Sequence, residues 1–198
     1  IASPSRPDDA AAMLRTCVSA ARVDGRVCVF LEPIALYHQR DLADGDGGWL
    51  ARYAGPHEWA EQHVPIGSGR TWPVGTGEPE LTFITFGNGL PMSLRVAGEL
   101  AAEGVSSRVL DLRWLSPLPV RDILREAAIT GRVLVVDETR RTGGVSEAVL
   151  AALVDGGFRG AIRRVTSADS FIPLGAAART VLLDEPTVAQ AARELTGG

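Results

Sequence analysis

Gly45-Asp46-Gly47 and the lone asparagine, Asn88, are the first residues in this 198-residue sequence whose types suit metal chemistry. Carboxylate and amide oxygens are hard donors for Mg²⁺, and enzymes that grip a cofactor diphosphate use GDG with an asparagine roughly 25 to 30 residues on. Here Asn88 lies 42 positions after Asp46, and no strand-then-helix pattern surrounds the triplet. It reads as a flexible turn. Gly87-Asn88-Gly89 stands at a strand-to-helix boundary, where a dinucleotide-binding protein carries GxGxxG, but Met92 replaces the third glycine. No acidic residue with the right neighbours ends the next strand, so a tight turn with Asn88 capping the helix fits better. His57-Glu58-x-x-Glu61 has glutamate where a zinc motif needs a second histidine, and His63 falls off the shared helical face. His57, His63 and His38 therefore read as surface or interface residues. Ser68 is no hydrolase nucleophile, since Ile66 and Arg70 occupy the positions that require glycine.

Composition removes further classes. The 20 cationic residues are all arginine, so chemistry needing a lysine on phosphates or a primary amine for a Schiff base is excluded. A net charge of −4 gives no basic field to recruit nucleic acid or an anionic membrane. No apolar run approaches the ~20 residues of a bilayer span. Cys17 and Cys28 form no CxxC pair. They read as buried structural thiols in a reducing, cytoplasmic setting. The sequence starts Ile-Ala-Ser-Pro with its first methionine at Met13, from which a piece of a longer protein is expected.

The elements that must position these residues follow from periodicity. Ser5 and Asp8 resemble a capping box, and Pro7 suits a first turn. Ala10, Met13, Leu14, Cys17, Val18 and Ala21 then mark one helical face. After Asp24-Gly25, the run Val27–Leu31 reads as a strand buried on both sides. Residues 38–63, with two tryptophans and all three histidines, form a long loop of the kind that is functional or contacts partners. Gly67–Glu80 holds four glycines and two prolines and reads as a connection between domains. Beyond it the chain alternates: strands at Leu81–Phe86, Arg108–Leu112, Arg132–Val136 and Ile162–Val165. Helices follow around Leu90–Ala101, Pro119–Ala127, Val145–Ala152 and Pro186–Leu195. Such alternation predicts right-handed crossovers and a three-layer α/β/α domain with a mostly parallel sheet.

Several segments together resemble the β-type half of the E1 component of 2-oxo acid dehydrogenase complexes. Ser3-Pro4-Ser5-x-Pro7-x-Asp9-Ala10, Val29–Pro33 and Leu36-Tyr37 are similar to the end of its pyrimidine-binding domain, and Val64–Gly67 to the strand leaving it. Asp111–Leu118, Val135–Glu138 with Gly143-Gly144 and Ser146-Glu147, and Arg164–Thr166 with Ile172-Pro173 resemble its transketolase-type C-terminal domain. The resemblance divides the chain into residues 1–66, a partial pyrimidine-binding domain, a linker at 67–80, and the C-terminal domain at 81–198. The long 38–63 segment looks more like single-chain proteins in which α-type and β-type halves are fused, and Ile34 stands where many β subunits have lysine.

The resemblance implies thiamine diphosphate and Mg²⁺ in the complete enzyme, oxidative decarboxylation of a 2-oxo acid, and acyl transfer to a lipoyl group on an E2 acyltransferase. It implies as partners the remainder of the E1 polypeptide or an α-type subunit, and a second copy as a homodimer. The family's catalytic and cofactor-binding residues would lie upstream of Ile1, so no catalytic, cofactor-binding or metal residue is assigned here. This chain alone is expected to be inactive and without cofactor. A monovalent cation that the family sometimes holds would meet Asp24, but Arg26 stands where a neutral donor is needed. Tyr37, Glu138, Arg140 and Arg141 are the candidate partner interface, the arginines because guanidinium suits bidentate contacts. The other readings are the tail of a transketolase or 1-deoxyxylulose-5-phosphate synthase and, outside catalysis, a free-standing interaction module.

Overall fold

Strands β2 (Pro79–Thr85), β3 (Ser106–Asp111), β4 (Arg132–Arg140) and β5 (Ala161–Ser167) run parallel in the computed structural model, which describes residues 1–197. A further strand, β1 (Arg70–Val74), lies antiparallel to β3, giving the order β1-β3-β2-β4-β5. Helices α2 (Gly89–Ala102), α3 (Val120–Thr130) and α4 (Val145–Asp155) make the crossovers, and α5 (Glu185–Thr196) follows β5. The α/β reading therefore holds. The stretch 67–80, expected only to connect, supplies β1, an edge strand of the sheet.

Side-chain alternation decides which helix covers which face. Val109, Phe83 and Leu134 lie in one register row and face α2 and α5, with Leu81, Val96, Leu100, Val188 and Ala192 in the same core. The next row, Leu110, Ile84 and Val135, points the other way against Ile123, Ala127, Val149 and Leu153 of α3 and α4. Fully burying each of these large side chains contributes roughly 1.5–3 kcal/mol. The edge strand β5 is less apolar: Arg163 pairs with Glu194 of α5, and Arg164 donates to the Arg141 carbonyl.

The amino-terminal part is smaller. Helix α1 (Pro7–Val23) buries Ala12, Met13 and Cys17 against Val64 and against Trp114 of the segment after β3. The expected Ser5–Asp8 capping box does not form. Arg6 is the N-cap, without a side-chain cap, while Pro7 does stand in the first turn. Val27–Leu31 is not a buried strand either. Among the described residues it makes one bridge, Ala2 with Phe30, and leaves Val27, Val29 and Leu31 exposed, because the short Ile1–Ser3 backbone is what lies alongside to pair with it. The long 38–63 segment is stapled down by Trp49, whose ring joins the α2–α5 core under the Arg6 guanidinium.

Candidate functional site

Two places at the carboxyl ends of the strands bring candidate residues together, and the first is the gap between β2 and β4. Connections leave these neighbouring strands in opposite directions, which makes the gap the fold's switch point, where doubly wound sheets usually take ligands. Here protein fills it. Gly87 turns with φ +56°, and the Asn88 N–H donates to the Glu138 carboxylate at 3.0 Å. A Cβ on Gly87 would collide with Glu138 and touch Pro33. The Asp137 carboxylate caps α4 through the Ser146 N–H (2.7 Å) and also holds Thr139 (2.7 and 2.9 Å). Burial, with the Asp137 charge adding to it, raises the Glu138 pKa against the opposing pull of the Asn88 N–H.

This geometry corrects two readings. Asn88 stands at the N-cap of α2, but its side chain makes no cap bond and reaches the Met92 sulfur instead. The strand expected to end at Val136 runs four residues further as β4, so Glu138 and Arg140 sit on it, and the Glu138 carboxylate points inward. Tyr37 lies four residues after Pro33, the residue that a Cβ on Gly87 would touch. It is exposed, donates to Glu32 at 2.7 Å, and shares a cavity of about 280 Å³ with Phe30, Pro33, Trp49 and Tyr53.

The second place is a groove of about 710 Å³ between the end of β4 and residues 167–172, lined by Thr139, Arg140, Thr142, Asp169, Phe171 and Ile172. Its floor is ordered by hydrogen bonds. Thr142 donates its N–H and hydroxyl to Asp169 at 2.8 and 2.7 Å, which lowers the Asp169 pKa. Ser167 Oγ donates to the Glu138 carbonyl and accepts from the Leu183 N–H. The rim is apolar: Phe171 is 97% and Leu174 96% exposed, beside Ile172 and the exposed Arg140 and Arg141. Asp169, Phe171 and Ile172 escaped the reading of the sequence as interface residues. The signal was present in Phe171-Ile172-Pro173-Leu174, an apolar run after a strand with no helix or strand period to bury it.

A buried ion network joins the two parts of the chain. Arg113 donates to Asp9 at 3.0 Å and to the Ser68 and Gly69 carbonyls at 3.1 and 2.7 Å. Arg70 bridges Asp8 and Asp9 at 2.9 and 3.1 Å. Asp111, wholly buried at the end of β3, has its pKa raised to about 7 by desolvation and by the Asp9 charge.

The metal-like motifs fare differently. The Asp46 carboxylate accepts from the Leu42, Ala43 and Gly48 N–H groups, so Gly45-Asp46-Gly47 is an ordered turn whose oxygens are already occupied. Asp24 pairs with Arg26 at 3.5 Å, a guanidinium standing where a cation would. His57 is exposed beside Glu58, whereas His63 approaches Thr16 on α1. Among the described residues, no three His, Cys, Asp or Glu side chains cluster as a metal site.

Known proteins match this arrangement. The transketolase C-terminal domain family model matches residues 71–190. The pyruvate dehydrogenase E1 component subunit beta of Bacillus subtilis (strain 168) is 31% identical over 195 residues, covering 97% of this chain and 54% of that protein. The 1-deoxy-D-xylulose-5-phosphate synthase of Anaeromyxobacter sp. (strain K) is 36% identical over 140 residues, 68% of this chain and 22% of that protein. A split-gene transketolase, solved as an inactive beta4 tetramer, has the same fold, with a TM-score of 0.71 at 21% identity over 99% of this chain and 56% of its own. The chain spans about half the length of the E1 beta subunits it matches.

Proposed function

The chain belongs to the transketolase C-terminal domain family, and from that membership we propose that it is the C-terminal part of a thiamine-diphosphate-dependent 2-oxo acid dehydrogenase E1 component. The observation that carries this reading is the extent of the likeness to E1 beta subunits, which takes in the amino-terminal helix and the 38–63 segment as well as the sheet domain. The synthase likeness reaches a smaller share of the chain. Residues 1–66 are the end of a pyrimidine-binding domain, 67–80 the connection that contributes β1, and 81–198 the C-terminal domain.

The role we assign to the chain is support and assembly. The donors present here do not suit thiamine diphosphate with Mg²⁺, because the Asp46 oxygens are held by backbone N–H groups and Asn88 sits at the filled switch point. No catalytic step is therefore placed on these residues. Tyr37, Arg140 and Arg141 are the contacts we assign to partners: the remainder of the E1 protein or an α-type subunit, a second copy, and the lipoyl acyltransferase. Glu138 acts behind them by fixing the Gly87–Asn88 turn. The free thiols suit a reducing cytoplasm.

Carbon dioxide release by the full-length parent, offered pyruvate, branched-chain 2-oxo acids and 2-oxoglutarate in turn with a lipoyl acceptor, tests the activity. Release that requires glyceraldehyde 3-phosphate instead would transfer the assignment to the synthase. Micromolar binding of thiamine diphosphate to the 198-residue chain in a calorimetric titration would contradict the supporting role.

A further inference from the structure

Helix α1 and the segment after it place the two cysteines of the sequence side by side. Cys17 sits on the buried face of α1, seven residues before Asp24. At 1.5 Å per residue that is a rise of about 10 Å. Gly25, at φ +67°, reverses the chain, with the Asp24 and Arg26 N–H groups both donating to the Ala20 carbonyl. Three residues of extended backbone then return about 10 Å, which brings Cys28 level with Cys17. The side chains confirm the match: the Cys28 thiol lies 3.6 Å from the Cys17 carbonyl oxygen and donates to it. Burial, with the neighbouring Cys28 thiol adding to it, raises the Cys17 pKa. Both are free, Cys17 buried and Cys28 partly open to solvent.

We propose that Cys17 and Cys28 are a redox pair, closed into a reversible intramolecular disulfide by hydrogen peroxide. Cys28 is the entry point because it is the accessible thiol of the pair. Its thiolate attacks one peroxide oxygen; the S–O bond forms, the O–O bond breaks, and water leaves with Cys28 oxidised to a sulfenic acid. The Cys17 sulfur then attacks the Cys28 sulfur, the S–O bond breaks, and a second water carries away the Cys17 proton. Two thiols and one peroxide thus give one disulfide and two waters. The bond would fasten residues 26–31, which hold Ala2 in its bridge and lead to Pro33 over the switch point, to the buried face of α1. This proposal stands independently of the dehydrogenase reading.

The test uses the protein at its encoded length, treated with hydrogen peroxide at a few equivalents, quenched with N-ethylmaleimide and digested with trypsin without reduction. The expected product joins the peptides Thr16–Arg22 and Val27–Arg40 at a mass about 2 Da below their free-thiol sum. It returns to two alkylated peptides after dithiothreitol. Cys28→Ser is expected to abolish the linked pair and leave Cys17 alkylated. Recovery of the wild-type peptides alkylated at both cysteines would overturn the proposal. So would sulfinic acid at Cys28 beside an alkylated Cys17, or Cys28–Cys28 dimers on a non-reducing gel.

Discussion

The Arg113 guanidinium reaches across 104 residues of sequence to donate to Asp9 at 3.0 Å, with both side chains at least 90% excluded from solvent. Arg113 also holds the Ser68 and Gly69 carbonyls from a left-handed backbone position, φ +58°. The first helix, the stretch before β1 and the end of β3 therefore meet on one side chain. Removing one partner of a buried pair leaves an uncompensated charge, at a cost of roughly 3–5 kcal/mol. Because Arg70 still neutralises Asp9, Arg113→Ala is expected near the lower end of that range. Urea unfolding checks it, and a loss below about 1 kcal/mol would mean the pair is replaced by water.

Asp111 gives the protein a pH dependence of defined sign. Its folded pKa of about 7 lies above the ordinary 3.8 of an aspartate, so the folded state holds the proton more tightly. The resulting stabilisation is complete below the unfolded pKa and is lost as pH rises through about 7. Asp111→Asn keeps an acceptor for the Arg113 N–H while removing the titration. The variant is expected to be more stable than the parent at pH 8, by on the order of 3 kcal/mol, with the gap closing toward pH 4. Paired denaturation curves across that range read the difference directly. Asp9→Asn, which removes the neighbouring charge, should move the midpoint of the effect to lower pH.

Gly87→Ala strains the turn twice over, through its φ of +56° and through the collision of the new Cβ with Glu138. A loss of about 1–3 kcal/mol is expected. Truncating the obstructing side chain separates the two causes. In the Gly87→Ala, Glu138→Ala double variant the collision is gone while the backbone cost and the lost Asn88 hydrogen bond remain, so the double variant should lose less than the sum of the two single losses. Strict additivity in a thermal or urea double-mutant cycle would show that Glu138 does not pack against the turn.

Most of the sheet domain was legible in the sequence because its signals are local. Leu81–Phe86 and Arg132–Val136 are apolar runs bounded by turns, and both became central strands. Other features depend on distant partners. The Val27–Leu31 run carries the composition of a buried strand, but a composition does not say what pairs with it, and here a single bridge does. The Arg113–Asp9 pair has no local signature. Arg113 follows a strand-ending aspartate in a segment read only as family likeness. Glu138 stood out in the sequence as an interface candidate, but its direction was not legible, because strand length decides whether a side chain meets solvent or its own fold. The Cys17–Cys28 neighbourhood could have been found from the rise of a helix and the return of a strand about Asp24-Gly25.

The groove beside β4 carries the prediction about assembly. Phe171 and Leu174 are almost fully exposed, so replacing them removes little packing from the fold. Surface substitutions of this kind usually shift stability by less than about 0.5 kcal/mol. If the groove is a partner contact, the same residues become buried anchors on assembly, where loss of an aromatic side chain costs about 2 kcal/mol or more. Phe171→Ser combined with Arg140→Ala and Arg141→Ala should therefore leave the melting temperature of the full-length protein within about 2 °C. The same triple variant should weaken its association at least roughly tenfold. Light scattering over a concentration series measures the second effect. Unchanged assembly with an unchanged melting temperature would remove this face from the interface and leave the partner contact to Tyr37 and its surroundings.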